Sequence, residues 1–83
     1  MLTIKVLGKG CSKCKVTYNQ VQKALLEIGI EATVIKVEDM DEILSYNVMS
    51  TPGLLINENI KCVGRIPNTK EIIQWIKEVN HEH

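Results

Sequence analysis

Three cysteines in 83 residues are too few, and an odd number, for the closed disulfide framework of a small secreted domain. Net charge is also lacking. Ten basic and ten acidic side chains cancel, so no overall field draws the chain to nucleic acid or to an anionic membrane. No apolar run approaches the roughly 20 residues needed to span a bilayer, and no signal-peptide pattern is visible. These absences point to a reducing cytoplasm, with neither nucleic acid nor membrane as partner. Aromatic residues are scarce, limited to Tyr18, Tyr46 and Trp75. Internal repeats and low-complexity tracts are missing too. What remains is one domain over residues 1–83, near the lower size limit for a core of its own, with 45% apolar residues to build it. The charges are unevenly placed. Lysines dominate the first quarter, whereas Glu31, Glu38, Asp39, Asp41 and Glu42 make the middle acidic.

The cysteines that are present carry the pattern that organises the chain. Gly8-Lys9-Gly10-Cys11-Ser12-Lys13-Cys14-Lys15 lies between an apolar, β-branched run, Leu2-Thr3-Ile4-Lys5-Val6-Leu7, and a segment of helical spacing that begins near Cys14. Two cysteines separated by two residues place their sulfurs close enough to bond each other or to share one metal ion. A helix start offers free backbone N–H groups and the positive end of the helix dipole, both of which favour a thiolate. Lys9, Lys13 and Lys15 add positive charge on the same side. Cys11 is therefore expected to ionise near neutral pH, with Lys13 helping to lower its pKa.

The rest of the chain alternates elements with short connections. Apolar or small residues at Thr17, Tyr18, Val21, Ala24, Leu25 and Ile28 fall on one helical face, and Gly29 supplies the stop. Residues 30–37 return as a second strand, which implies a right-handed crossover and a parallel pair. Asp39 with Glu42 has the spacing of a capping box, so a short helix is expected over residues 40–46 with Met40, Ile43 and Leu44 buried. Leu54-Leu55-Ile56-Asn57 and Ile60-Lys61-Cys62-Val63 flank Glu58-Asn59, a two-residue hairpin connection. Asn68, with Glu71 three residues on, starts a last helix whose stripe is Ile72, Ile73, Trp75, Ile76 and Val79. Residues 79–83 are expected to fray. The order is β-α-β-α-β-β-α: an α/β fold with a mixed four-stranded sheet flanked by helices. The cysteine motif closes the first strand and feeds a helix, where such sheets place their sites.

Cys11-Ser12-Lys13-Cys14 and the later Thr51-Pro52, in register with this element order, resemble the thioredoxin superfamily. The likeness extends to small single-domain redox-active disulfide proteins related to glutaredoxin, and it covers essentially the whole chain. The extra N-terminal strand and helix of full-length thioredoxins are not represented. The resemblance implies a thiol–disulfide oxidoreductase with no cofactor beyond a redox-active Cys11–Cys14 disulfide. Cys11 is then the nucleophile and Cys14 the resolving thiol. Thr51, before a cis proline, offers its backbone to a substrate strand, and Pro52 keeps that backbone rigid. Val63-Gly64 resembles the third docking loop. Gly10, Val16, Met49, Thr51, Pro52 and Gly64 together make a shallow patch for a peptide. The implied partners are disulfide-containing client proteins and a reductase that recharges the site, with the domain acting as a monomer.

Departures from the family pattern define what is particular here. Gly10 stands where thioredoxins commonly have Trp, and Ser12-Lys13 replaces their Gly-Pro, so the reduction potential does not carry over. Lys5 takes the place of a buried acid beneath the second cysteine. It is either a proton-handling group for Cys14 or a lysine snorkelling past a strand edge. Gly64-Arg65-Ile66-Pro67 replaces the Gly-Gly-Cys-Asp-like stretch of glutaredoxins, which argues against glutathione as obligate substrate. Cys62 is expected to be a buried apolar residue on the same strand face as Ile60, with a resolving or metal-binding thiol as the alternative. Tyr18 is expected in the core, Arg65 in solvent or selecting acidic partners, and His81 and His83 exposed. Residues 3–14 also resemble the start of heavy-metal-associated copper chaperones, whose paired thiolates hold Cu(I). That family runs β-α-β-β-α-β, lacks the Thr-Pro loop and carries methionine where Lys9 stands. A structural zinc site would need four ligands, and only one Cys-x-x-Cys exists; no resident metal is expected.

Overall fold

The first strand, β1 (Thr3–Leu7), is paired on both edges and buries Ile4 and Val6 on one face and Leu7 on the other. It runs parallel to β2 (Thr33–Val37) and antiparallel to β3 (Gly53–Ile56), and β3 pairs antiparallel with β4 (Asn59–Val63). The sheet order is therefore β2-β1-β3-β4. Among the described residues three helices accompany the sheet: α1 (Ser12–Ile28), α2 (Met40–Ser45) and α3 (Thr69–Asn80). The computed structural model describes residues 2–9 and 12–80. Gly10, Cys11, His81 and His83, all singled out from the sequence, lie outside those residues.

Alternation along the strands sends side chains into two cores. Ile4, Val6, Leu54 and Ile56 pack with Val21, Ala24 and Leu25 of α1 and with Ile72 and Ile76 of α3. On the opposite face Leu7, Val37 and Leu55 meet Ile43 and Val48. The larger core is sealed by a hydrogen bond from the Thr69 hydroxyl to Gln20, which ties α3 to α1. Gly29, at a φ of 68°, ends α1 in the left-handed conformation that glycine adopts without penalty. The Ile30 amide closes that end on the Leu25 carbonyl.

The order of elements and the mixed sheet are those read from the sequence; several local expectations are corrected. α1 begins at Ser12 rather than Cys14, and β2 begins at Thr33 rather than residue 30. In α2 only Ile43 is buried, while Met40 and Leu44 are exposed. A helix of six residues is too short to present a stripe. Its cap is Asp39, whose carboxylate accepts from the Asp41 amide, with no bond from Glu42 back to it. The hairpin turn is Asn57-Glu58, one residue earlier than expected, with φ of 49° and 69°. Both are positive, as a two-residue type I′ turn requires.

β4 departs from strict alternation. Leu54 faces Cys62 and Leu55 faces Ile60, leaving Lys61 unopposed in a bulge. Cys62 therefore enters the larger core while Ile60, half-exposed, falls on the α2 face. The two residues are on opposite faces, not the same one. At the other end of the chain, Val79 lies within α3 and packs against the larger core, so fraying does not begin at residue 79.

Candidate functional site

At the end of β1 the chain makes a close approach that only glycine permits. The Gly8 amide donates to the Val37 carbonyl at 2.9 Å, fixing it beside β2. A Cβ built on Gly8 would fall on the Cys14 sulfur, and its next contact outside Cys14 would be the Thr51 Cβ at 3.6 Å. Gly8 thus separates the first turn of α1 from the loop before β3 by one backbone thickness. Cys14 is buried, 8% exposed, and its sulfur is disulfide-bonded.

The facing loop is held from two sides. Leu7 and Val48 close on Gly53, where an added Cβ would meet them at 3.4 and 3.3 Å. The Gly64 amide donates to the Pro52 carbonyl at 2.9 Å. Gly64 has a φ of 79° and lies against Ser50. The Thr51–Pro52 bond is cis. Pro52 is buried and Thr51 exposed. Among the described residues nothing hydrogen-bonds the Thr51 backbone.

Of the residues picked from the sequence, Cys14, Thr51, Pro52 and Gly64 are gathered here. Val16, 43% exposed, and Met49, 87% exposed, lie on the two segments that meet at Gly8. Pro52 contributes backbone to this surface rather than its ring. Val63, named with Gly64 from the sequence, is 42% exposed at the same place. It pairs with Gly53 at the end of β4, next to Gly64.

Lys5 does not serve Cys14. Ile4 and Val6 point into the core that α1 covers, so Lys5 points to the other face. Its ammonium donates to the Tyr46 hydroxyl at 2.6 Å and pairs with Glu58 at 2.7 Å. Its pKa is raised, by Glu58 first and Tyr46 second, so it stays charged. It is not placed to relay a proton to Cys14; it ties the hairpin turn to Tyr46, the C-cap of α2. Lys9, Lys13 and Lys15 are exposed.

The remaining singled-out residues have structural employment. Cys62 is a buried free thiol that donates to the Arg65 carbonyl at 3.4 Å, and burial pushes its pKa up. Arg65 makes a two-bond ion pair with Glu71, at 2.9 and 2.7 Å. Tyr18 is half-buried against the larger core, with the Lys36 ammonium 4.4 Å from its ring centre.

A family model described as a thioredoxin domain matches residues 2–77. The chain belongs to the thioredoxin domain family. A protein named thioredoxin from Methanocaldococcus jannaschii is 42% identical over 77 residues, spanning 93% of this chain and 88% of its own. Another thioredoxin, from Methanothermobacter thermautotrophicus, is 33% identical over 72 residues, spanning 87% and 94%. Among solved structures, one titled as that of a malarial protein superposes with a TM-score of 0.72 at 16% identity, covering 94% of this chain and 96% of its own. A second, of thioredoxin-2, described as a component of malaria parasite protein secretion machinery, gives 0.68 at 21% identity, covering 94% and 82%. At these identities the two structures speak for the fold. The thioredoxin family places the chain in the general class of thiol–disulfide oxidoreductases. Among the described residues no helix is long and apolar enough to cross a membrane.

Proposed function

We propose that this chain is a protein-disulfide reductase whose working group is the Cys11–Cys14 dithiol. One observation carries the reading: the Cys14 sulfur rests on Gly8 directly beside the Thr51 loop, so a client bound along that loop is brought to the cysteine pair. Cys14 is disulfide-bonded while Cys62 is free, in keeping with a Cys11–Cys14 bridge as the oxidised form. In the reduced form Cys11, which directly precedes α1 in the sequence, is the thiolate, favoured by the positive end of a helix and by nearby lysine charge. It attacks one sulfur of a client disulfide, forming a mixed disulfide and expelling the client's other sulfur as thiolate. Cys14, losing its proton, attacks the Cys11 sulfur of that bond. The client leaves as a dithiol after taking up two protons. Two electrons have passed from the protein's thiols to the client, and the Cys11–Cys14 bond has formed.

Thr51, whose backbone makes no hydrogen bond among the described residues, presents it to the client, and Pro52 holds it in place. Val16, Met49 and Gly64, with Gly10 beside the nucleophile, make the docking patch. A separate reductase returns the electrons, and no cofactor besides the disulfide takes part. A cytoplasmic monomer suits this role. The βαβαββα order argues against the copper chaperones, which end on a strand. The test is insulin reduction with dithiothreitol as electron source, run beside Cu(I) titration. Turnover abolished by Cys11→Ser, and a trapped mixed disulfide with Cys14→Ser, are expected. A tight one-to-one Cu(I) complex without turnover would overturn the proposal.

A further inference from the structure

We propose that this site selects polypeptide clients carrying acidic residues on one flank of their disulfide, and that Lys9, Lys13 and Lys15 are the selecting groups. The inference rests on the exchange reading above and deepens it. No acidic side chain occurs in the chain before Glu27, whereas Lys9, Lys13 and Lys15 all fall within five residues of Cys14. All three are exposed, and the ion pairs among the described residues are Lys5–Glu58 and Arg65–Glu71. Among the described residues, these three lysines near Cys14 therefore have no ion-pair partner. Arg65, the other basic group near the docking loop, is spent on Glu71 at the start of α3. Selection by charge belongs to the lysines and not to Arg65.

The occupant is a polypeptide rather than a small anionic disulfide because apolar surface adjoins the charge. Val16, Met49 and Val63 are exposed around the same loop and have use only for a ligand that carries apolar side chains of its own. The preference is one-sided. Beyond Val37 the chain turns acidic through Glu38, Asp39, Asp41 and Glu42, leading into α2, which covers the other face of the sheet. A client acidic on both flanks would meet repulsion there. Fields of this kind act chiefly on encounter and are screened by salt.

The test uses four otherwise identical peptides, each closed by one disulfide, with a pair of Asp or a pair of Lys residues before or after it. Dithiothreitol serves as electron source. At low ionic strength one Asp peptide should exceed its Lys counterpart about tenfold in kcat/KM, within the range of electrostatic steering, with the difference carried in KM. The ratio should approach one in about 1 M salt, where screening acts within ~3 Å. It should fall below one in a chain carrying Lys9→Glu, Lys13→Glu and Lys15→Glu, and survive Arg65→Gln. Taking the ratio within one variant cancels any change in thiol reactivity, because both peptides meet the same sulfur. Equal reduction of all four peptides at low salt overturns the selection and leaves the exchange reading standing, as does a ratio that survives the triple reversal. Reduction of none overturns both.

Discussion

A single methyl group at Gly8 would occupy the place of the Cys14 sulfur. Gly8→Ala should therefore displace the sulfur or the strand end. Forced overpacking of this kind costs about 1–3 kcal/mol, read as a lower urea midpoint. Insulin reduction should slow at the same time, since the sulfur proposed to resolve the mixed disulfide moves. A variant as stable and as active as the parent would show that Cys14 is not seated on Gly8. Lys5 makes the opposite point. Its charge is held by Glu58 and Tyr46 on the far face of the sheet, so Lys5→Met should leave the pH profile of thiol alkylation in place. A shifted profile would restore the proton role that the structure removes. Both residues sit in the same strand or at its end, and only side-chain direction separates the one at the site from the one remote from it.

At the level of elements, α3 shows a start signal working as its sequence implies. Asn68 accepts from the Glu71 amide at 2.8 Å, and Glu71 reaches back to the Asn68 amide at 3.2 Å, a reciprocal capping box. The Arg65 guanidinium first, and the Asn68 amide second, hold the Glu71 carboxyl down at about 2, against 4.5 ordinarily. The folded state thus binds this proton less readily than the unfolded chain. The contribution is complete above about pH 4.5 and is lost as pH falls through about 2. Glu71→Gln should lower stability at neutral pH and flatten this part of the acid limb, measured as the urea midpoint from pH 7 to 2. An acid limb as steep as the parent's would mean that Glu71 is not paired in solution. The capping box, the amphipathic faces of α1 and α3, and the Gly29 stop were legible because each rests on residues within one or two turns. α2 and the hairpin were less so. Six residues give too little periodicity to say which side faces the sheet. The turn at Asn57-Glu58 is pinned by β1: the Asn57 amide donates to Thr3, the Thr3 amide donates to Asn57, and Glu58 pairs with Lys5.

Across the whole molecule, burial is greatest along β1 and β3 and least on the edges. Ile4, Leu7, Leu54, Leu55 and Ile56 are fully buried, whereas most of β2 is half-exposed or exposed. Opening free energy follows burial and pairing. Hydrogen exchange should therefore leave the β1 and β3 amides protected longest and release β2 first. β2 outlasting β1 would contradict the observed strand order. The same layout gives the Gly8 end of the sheet its uneven charge, because α1 and α2 start there on opposite faces. The Cys-x-x-Cys motif, the Thr-Pro dipeptide and the order of elements are local facts, and the chain determines them by itself through residue type and spacing. Tertiary structure alone decided that Gly8 carries the Cys14 sulfur, that Lys5 turns away from it, that Cys62 and Ile60 part company at a bulge, and that Arg65 is occupied. Each depends on which face a strand presents and on what packs against it, and that is settled by pairing between segments far apart in the chain.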